Sequence, residues 1–340
     1  MNEWIQQLAD LTAAGEPVVR VTLAGVRGST PREAGARMLV TASETIGTIG
    51  GGQLEYQCTR RAVERLDGDA VTVLERFPLG ASMGQCCGGA VEVLFEPLLD
   101  GMPAWLRSLA GLHGQREAAV LVTRLNADSS DRLVVTSSDV FGSAGPAVIA
   151  SARNQLQNRG AALEGELFFE PVIPSDFNIA VFGAGHVGSA VVGLLATLDC
   201  NVRWIDSRRH IFRRVPNNVH PIESTEPALE VAALSPGSHV LVMTHSHAID
   251  FDVCCRALRR DDLAYVGLIG SAVKRRRFLK RFREQGLVDN EISRLTCPIG
   301  VDGVSGKKPA EIAVAATAEL LAVRDGASGQ ALPDIISRLS

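Results

Sequence analysis

The sequence predicts an α/β protein of two domains. An N-terminal α+β domain is expected over residues 1–172, and a Rossmann-like domain with a doubly wound parallel sheet over residues 173–340. Three observations support this. A length of 340 residues suits about two domains. Residues 183–188 have the order G-x-G-x-x-G between an apolar stretch and an apolar helical pattern. The next strand pattern ends in Asp206, where an acid that binds a nucleotide ribose is expected.

Composition excludes several classes of protein. Hydrophobic residues make up 46% of the chain and charged residues 21%, and the net charge is -4, so no general attraction to nucleic acids or membranes is expected. An aromatic content of 5% argues against recognition of bases by stacking. The N-terminus lacks a signal-peptide pattern, and no stretch of about 18 apolar residues occurs. We therefore expect a cytoplasmic protein without membrane insertion, whose seven cysteines are not structural disulfides. No internal repeat is visible.

Hydrophobic spacing predicts the elements of the first domain. Apolar residues at Trp4, Ile5, Leu8 and Leu11 follow one face of a helix, and short apolar runs bounded by Gly, Pro or polar turns indicate strands. The predicted helices span residues 2–14, 53–66, 103–112 and 146–158. The predicted strands span residues 18–26, 36–40, 45–49, 71–77, 90–96, 118–124, 131–136 and 166–171.

The pattern changes after Pro171 and Pro174, which mark the predicted domain boundary. Apolar runs now alternate with helical patterns, as in a parallel sheet joined by helices. The predicted strands span residues 177–182, 202–205, 239–243 and 264–269, and the predicted helices span residues 190–198, 273–285 and 310–324.

Two adjacent cysteines, Cys86 and Cys87, lie between glycines in residues 84–89. Glycine permits positive φ and lets a ligand approach the backbone, so this stretch predicts a reachable thiol site. Neighbouring side chains of an extended chain point to opposite faces, so at most one of the two thiols is expected to face a cleft. A role as a small buried hydrophobic residue remains the alternative for each.

Two loops of the first domain carry residues suited to a phosphate. Residues 27–32 hold two arginines and two hydroxyl groups, and a glycine triplet precedes the helix that begins near residue 53, whose first N–H groups are unpaired. The candidates are Arg27, Ser29, Thr30, Arg32, Gly50, Gly51, Gly52 and Glu55. A solvated turn is the alternative for residues 27–32, and the helix dipole alone is enough to explain Glu55 in the first turn.

The glycine loop of the second domain predicts a site for NAD(P) or another nucleotide. Its candidates are Gly183, Gly185, His186, Gly188 and Asp206. His186 is expected either beside the ligand or in solvent at the helix start. Arg208 and Arg209, which follow Asp206, leave open a phosphate on the ribose.

Further candidates follow strand ends of the second domain, where open α/β sheets bind ligands. His245, His247 and Asp250 could bind a metal or move a proton, although helix capping explains Asp250 equally well. Cys297, which precedes a proline, is a further thiol candidate. The helix over residues 273–285 is strongly basic, which predicts a solvated face, a docking surface for an acidic partner, or a phosphate site.

Seven motifs, in order over essentially the whole chain, resemble the xanthine dehydrogenase accessory proteins of the XdhC/CoxI type. They are residues 28–32, 47–52 with Glu55, 85–89, 182–188, 244–247 with Asp250, 267–271, and 298–300 before 308–313. The resemblance implies a cytoplasmic, dimeric accessory protein that binds the molybdenum cofactor (molybdopterin). Such proteins support its sulfuration by a cysteine desulfurase and hand it to an apo-hydroxylase. In the motif that begins at Gln85, the resemblance implies that Cys87, which precedes Gly88, corresponds to the family's cysteine. We expect Cys87 near the metal end of the cofactor, either as a ligand of the molybdenum or as a carrier of sulfur in a persulfide.

We therefore expect a cofactor chaperone for xanthine dehydrogenase or a related molybdenum hydroxylase, without a turnover reaction of its own. The cofactor is expected in a cleft between the domains, with its phosphate on one of the glycine loops or on Arg27 and Arg32. Two alternatives stay open at this point. One is an NAD(P)-dependent oxidoreductase that uses the Rossmann-like domain, and the other is a partner-docking module that acts through the basic helix over residues 273–285.

Overall fold

A computed structural model describes residues 3–79, 89–128 and 131–326. These residues form two compact units, the first ending at Pro174 and the second beginning at Ser175. The predicted mixed α/β class is confirmed, with antiparallel sheets in the first unit and a parallel sheet in the second. In the part of the chain that is described, no helix is long and apolar enough to cross a membrane.

The first unit contains two five-stranded antiparallel sheets with helices packed on them. Its helices are α1 (Glu3–Ala13), α2 (Gly52–Glu64), α3 (Ala104–Gly114) and α4 (Pro146–Asn158). The strands of the first sheet are β1 (Val18–Arg27), β2 (Arg37–Val40), β3 (Thr45–Gly47), β4 (Val73–Pro78) and β5 (Ala90–Leu98). The strands of the second sheet are β6 (Ala119–Arg124), β7 (Arg132–Val135), β8 (Val140–Phe141), β9 (Ala162–Glu164) and β10 (Leu167–Val172).

The two sheets and their helices have the same topology and form two copies of one structural repeat, so the expectation of no internal repeat is wrong. Each copy runs helix, three strands, helix, two strands, and the spatial orders β3-β2-β1-β5-β4 and β8-β7-β6-β10-β9 are equivalent. The turn after β2 recurs after β7, since the Thr41 hydroxyl accepts the Glu44 N–H at 3.1 Å and the Thr136 hydroxyl accepts the Asp139 N–H at 2.8 Å. The sequences around these turns, R-M-L-V-T-A-S-E-T-I-G and R-L-V-V-T-S-S-D-V-F-G, match accordingly.

A buried cluster of arginines and glutamates joins the two copies. Arg132 of the second copy pairs with Glu96 of the first at 3.0 Å, and Arg37 of the first pairs with Glu170 of the second at 3.0 Å. Arg20 contacts both carboxylates. Burial lowers the pKa of Arg132 to about 10, so this guanidinium stays charged at neutral pH. The cluster therefore holds three positive and two negative charges away from water, and each carboxylate is needed to offset the cost of burying them.

The second unit is a Rossmann fold. Its six parallel strands have the spatial order β13-β12-β11-β14-β15-β16, which is the doubly wound order 3-2-1-4-5-6. The strands are β11 (Asn178–Phe182), β12 (Asn201–Asp206), β13 (Val219–Glu223), β14 (His239–Val242), β15 (Tyr265–Leu268) and β16 (Leu295–Thr296). The helices are α5 (His186–Leu195), α6 (His247–Leu258), α7 (Ala272–Glu284), α8 (Asp289–Ser293), α9 (Pro309–Arg324) and a 3-10 helix (Pro227–Ala233).

Two hydrophobic clusters cover the two faces of this sheet. Side chains of α5 and α9 pack on one face, and side chains of α6, α7 and the 3-10 helix pack on the other. The strand order reverses between β11 and β14, so the carboxyl ends of these two strands flank the crevice in which such sheets bind ligands.

Candidate functional site

Described residues from three of the predicted loop motifs of the first unit meet at one end of its first sheet. A Cβ atom added at Gly89 would lie 2.6 Å from the carbonyl oxygen of Ser29, so the residue before β5 packs directly on residues 27–29. A Cβ added at Gly50 would lie 2.8 Å from the Pro31 side chain and 3.4 Å from Cγ of Arg32. The loop over residues 27–32 therefore contacts both the glycine triplet and the residue that ends the cysteine-bearing segment.

The loop that contains the glycine triplet, here called the glycine nest, surrounds the Glu55 carboxylate with donors. Gly50, Gly51 and Gly52 all have positive φ, a conformation that glycine adopts without strain, and the Gly50 N–H donates to the Thr48 hydroxyl at 3.1 Å. Oε2 of Glu55 accepts hydrogen bonds from the Thr48 hydroxyl at 2.5 Å and from the N–H groups of Ile49 and Gly51 at 3.0 Å each. The loop is thus an anion-binding site whose occupant in this structure is a carboxylate of the chain itself.

The hydrogen bonds determine the charge state of Glu55. Burial by itself would raise its pKa, but the Thr48 hydroxyl and the loop N–H groups hold the pKa below the usual value for glutamate. The carboxylate is therefore ionised at neutral pH and holds the glycine loop in a fixed conformation.

Glu55→Ala tests this role. We expect amide exchange at Ile49 and Gly51 to become about tenfold faster, because each N–H loses a hydrogen bond to a charged acceptor. The pKa of Glu55 is lowered in the folded state, so its contribution is complete above the ordinary glutamate pKa of about 4.3 and is lost as the pH falls through the lower folded value. Residue-resolved hydrogen exchange measures the effect. Unchanged exchange in Glu55→Ala would contradict it, and Glu64→Ala, at the other end of α2, is the control.

Residues 27–32, the glycine nest and Gly89 lie in contact and are here called the loop cluster. Its remaining polar side chains differ in whether they already have partners. The Thr30 hydroxyl donates to the Arg32 carbonyl oxygen at 3.1 Å, and the Arg32 guanidinium pairs with Glu33 at 3.2 Å. Arg27 and Ser29 are exposed, and Arg27 forms no ion pair with any residue that the structure describes. Among the described residues, Arg27 is therefore the arginine of this loop without an ion-pair partner.

The cysteine-bearing segment itself lies outside the described residues. The predictions for Gln85, Cys86, Cys87 and Gly88 fall there. The described chain ends at Leu79 and resumes at Gly89, and the Leu79 N–H donates to the Gly89 carbonyl oxygen at 2.8 Å. Leu79 and Gly89, the described residues on either side of this segment, are thus hydrogen-bonded to each other beside the loop cluster.

The second copy of the repeat serves as an internal comparison for these features. The first copy has Gly51 as the N-cap and Gly52 as the first residue of α2, whereas the second has Gly145 as the N-cap and Pro146 as the first residue of α4. Proline has no N–H to offer an anion. Where residues 79–89 connect β4 to β5, two residues connect β9 to β10. The scaffold therefore forms without the glycine triplet and without the long connection, so neither feature is a requirement of the fold.

The glycine loop of the second unit has the geometry of a phosphate loop. A Cβ at Gly188 would overlap the carbonyl oxygen of Gly183, and a Cβ at Gly183 would lie 3.0 Å from Cα of Thr244. These two glycines are needed for close packing of α5 and β14 on the loop. A Cβ at Gly185, in contrast, would meet no described atom within 4 Å, which leaves room for a ligand beside the N-terminus of α5. His186 is exposed at the first position of that helix.

Asp206 is fully engaged by neighbouring donors. Oδ2 accepts the Ala184 N–H at 2.6 Å and an Nη atom of Arg208 at 2.8 Å, and Oδ1 accepts the backbone N–H and Nε of Arg208 at 2.9 Å each. Burial would raise its pKa, but these hydrogen bonds and the Arg208 charge hold the pKa below the usual aspartate value. Four donors satisfy the carboxylate, so in this conformation it has no acceptor position left for the hydroxyls of an adenosine ribose.

Arg208→Ala should therefore release Asp206 for a ribose. We expect the variant to bind NADH at least tenfold more tightly than the wild type, because removing the guanidinium frees one acceptor position on each carboxylate oxygen for the diol. Titration of NADH fluorescence measures the affinity, with Arg209→Ala as the control. Equal NADH affinity in the wild type and Arg208→Ala would show that Arg208 does not restrict this site.

The predicted group His245, His247 and Asp250 does not form one site. Asp250 is buried and accepts the N–H and hydroxyl of Thr244 at 2.9 and 2.7 Å, while both histidines are exposed. Over residues 3–79, 89–128 and 131–326 there is no group of three His, Cys, Asp or Glu side chains that could hold a metal ion. Nor does Asp250 cap α6, since Ser246 is the N-cap.

Lys274 was not predicted as a site residue, because it lies among arginines in a helix that the sequence marks only as strongly basic. The Lys274 side chain is largely buried, and its Nζ pairs with Oδ2 of Asp250 at 2.6 Å and donates to the Ile269 carbonyl oxygen at 3.0 Å. The pair joins the carboxyl ends of β14 and β15. The sequence feature that could have identified Lys274 is its position in the first turn of a helix that directly follows a buried strand.

The thiols of the second unit are poor nucleophiles in this structure. Cys297 is buried beside Gly270, and burial raises its pKa although Lys274 and Arg275 act in the opposite direction. Burial also raises the pKa of Cys254 and Cys255. A thiolate is the reactive form, so none of these three cysteines is activated here.

The fold places this protein in one class: a duplicated α+β unit that carries a glycine nest, followed by a Rossmann unit. Two family models match it in sequence order: the XdhC and CoxI family over residues 11–78, and the XdhC Rossmann domain over residues 179–320. The chain belongs to the XdhC and CoxI family. The resemblance seen in the sequence motifs is thereby confirmed.

Two individual proteins are similar over nearly the whole chain. Uncharacterized protein YqeB of Escherichia coli strain K12 is 25% identical over 342 residues, a match that covers 95% of this chain and 46% of YqeB, so the chain spans about half the length of that relative. The crystal structure of a xanthine dehydrogenase from Bacillus halodurans is 22% identical, with a TM-score of 0.73 and 96% of each chain covered. The second likeness shows a shared fold.

Proposed function

We propose that this protein is an accessory protein that binds the molybdenum cofactor, holds it during sulfuration and delivers it to xanthine dehydrogenase or a related molybdenum hydroxylase. The observation that carries the proposal is the loop cluster of the first unit. Residues 27–32, the glycine nest and Gly89 lie in contact there. The second copy of the same scaffold lacks both the triplet and the long cysteine-bearing connection.

The donors of this cluster suit the phosphate of molybdopterin. The nest N–H groups already hold one anionic group, the Glu55 carboxylate, and Arg27 is an exposed cation in the loop that contacts the nest through Pro31. Helix N-termini and nests favour phosphate for the same electrostatic reason that they favour a carboxylate. The cofactor phosphate would bind beside Glu55 or in its place, with Arg27 offsetting the charge.

Cys87 is the proposed ligand of the metal end of the cofactor. It is two residues from Gly89, and two residues of extended chain span about 7 Å at most. Gly89, which follows Cys87 and Gly88 in the sequence, is the described residue that contacts the loop cluster. A thiolate is a soft ligand, which suits a thiophilic metal centre. The proposed protein partners are a cysteine desulfurase, the apo-hydroxylase and a second copy of the chain.

Activation of an apo-hydroxylase tests this function. We expect Cys87→Ala to lower the rate of activation at least tenfold, with no change in thermal stability. The matched control is Cys58→Ala, which removes a buried thiol of the same unit whose pKa is raised by burial to about 12. Full activation by Cys87→Ala, or equal losses in both variants, would be evidence against the proposed role of Cys87.

A second candidate role concerns the Rossmann unit, where the open space beside Gly185 favours a phosphate-bearing ligand. We propose a regulatory nucleotide or part of the cofactor as its occupant. An NAD(P)-dependent oxidoreductase is disfavoured, because Arg208 satisfies the acid that would bind the ribose. Calorimetry with NADH and with molybdenum cofactor separates the two ligands.

A further inference from the structure

The second unit contains a cavity of about 670 Å³ that none of the motifs predicted, here named the α6–α7 cavity. It lies between the 3-10 helix, α6 and α7, on the sheet face opposite α5. The glycine loop leads into α5, so the cavity is separate from the phosphate loop. Its lining includes Leu229, Phe251, Arg256, Arg259 and Arg281.

The arginines of the cavity are available for a ligand. The Arg281 guanidinium carbon lies 3.8 Å from the centroid of the Phe251 ring, a cation–π contact that orients the group, and no hydrogen bond joins its N–H groups to a described residue. Arg259 donates one hydrogen bond, to the Gln285 carbonyl oxygen at 3.0 Å. Among described residues, neither Arg256 nor Arg281 has a carboxylate within ion-pair distance.

The other charges on the lining do not neutralise these arginines. Glu226 and Asp252 also line the cavity, and neither forms an ion pair with a described residue. Three arginines and two carboxylates leave the lining positive, and Arg277, one turn before Arg281 on α7, extends the positive surface. Unpaired guanidinium groups recognise carboxylates in a planar, two-bonded geometry.

An apolar contact lies beside these cations. Leu229 is 48% exposed on the 3-10 helix at the cavity wall, next to the buried Phe251. A ligand that satisfies both features carries carboxylates around an aliphatic or aromatic side chain. Nucleic acid fits less well, because the lining offers no exposed aromatic ring for stacking bases.

We propose that the α6–α7 cavity docks an acidic segment of a protein partner, with carboxylates on Arg256, Arg259 and Arg281 and an apolar side chain against Leu229. The sequence offered the whole basic helix over residues 273–285 as one possible docking surface. The structure moves the centre of the binding surface to Arg281 and adds α6, which the sequence pattern did not connect with it. This proposal does not depend on the cofactor.

The test uses the full chain and two fluorescein-labelled peptides, Glu-Glu-Leu-Glu-Glu and Gln-Gln-Leu-Gln-Gln. We expect the acidic peptide to bind at least tenfold more tightly than its neutral counterpart in fluorescence anisotropy, and Arg281→Glu to remove that preference. Arg213→Glu makes the same charge change at an exposed arginine outside the cavity and should leave binding unchanged.

Three outcomes would overturn the proposal: equal binding of the two peptides, binding of neither peptide, or equal loss in Arg281→Glu and Arg213→Glu. A single-stranded oligonucleotide that displaces the acidic peptide and loses binding in Arg281→Glu would assign the cavity to nucleic acid instead. Cys87→Ala should bind the acidic peptide like the wild type. Failure of cofactor binding and failure of docking are therefore distinguishable.

Discussion

Glu96→Ala should lower the free energy of unfolding of the first unit by about 3–5 kcal/mol. Glu96 is buried, pairs with Arg132 at 3.0 Å and with Arg20 at 3.5 Å, and accepts the hydroxyls of Thr22 and Thr123 at 3.3 Å each. Its removal leaves three guanidinium groups against the single carboxylate of Glu170. The buried positive charge is then largely uncompensated, so the loss of stability is larger than that of a single hydrogen bond.

Urea unfolding followed by tryptophan fluorescence measures the effect, because Trp4 and Trp105 stack on arginines of this cluster. Glu75→Ala is the matched control. Glu75 also pairs with two arginines, Arg61 and Arg65, but at the edge of the unit and near solvent. An exposed pair contributes about 0–1 kcal/mol. Similar losses in the two variants would show that burial of the cluster does not set its contribution.

Gly89→Ala should reduce the cofactor that copurifies with the protein to about a tenth or less, since even 1.4 kcal/mol of lost affinity is tenfold. The added Cβ would lie 2.6 Å from the Ser29 carbonyl oxygen and closer still to that of Arg27. These are backbone atoms, so residues 27–29 and the start of β5 must separate. The proposed site depends on the contact of Gly89 with residues 27–29, because Gly89 connects the cysteine-bearing segment to the loop cluster.

Gly111→Ala is the control for this substitution. It adds the same atom on α3, where no described atom lies within 4 Å, and should leave cofactor content unchanged. Near-ultraviolet circular dichroism of Gly89→Ala should remain close to that of the wild type, since the core side chains lie elsewhere. If Gly89→Ala retained wild-type cofactor content, the loop cluster would not be the binding site.

The Rossmann unit was predictable because its signals are local. A glycine loop between a strand and a helix, followed by an acid at the next strand end, lies within residues 177–206. β13 was missed, because Pro221 and exposed polar residues interrupt its apolar pattern, as an edge strand tolerates. The role of Arg208 also escaped prediction, since only the structure shows that both oxygens of Asp206 are taken.

The duplication of the first unit escaped prediction for a different reason. Its two copies differ in loop length, so no single period aligns them. Arg37 and Arg132 are 95 positions apart, whereas Glu96 and Glu170 are 74 positions apart. The cluster that these residues form is assembled from distant strands, and no local pattern marks a charged residue in an apolar strand as paired. Glu55 was correctly placed in the first turn of a helix, but its hydrogen bonds to the preceding loop could not be read from spacing.

We propose that the first unit binds the molybdenum cofactor at the loop cluster. Metal analysis and mass spectrometry of the full chain, purified from a molybdenum-sufficient host, test it most directly. We predict molybdenum and molybdopterin with the wild type and with Cys58→Ala, and loss of both from Cys87→Ala and Gly89→Ala. Wild-type protein that carries neither molybdenum nor molybdopterin, or variants that retain both at the wild-type level, would contradict the claim.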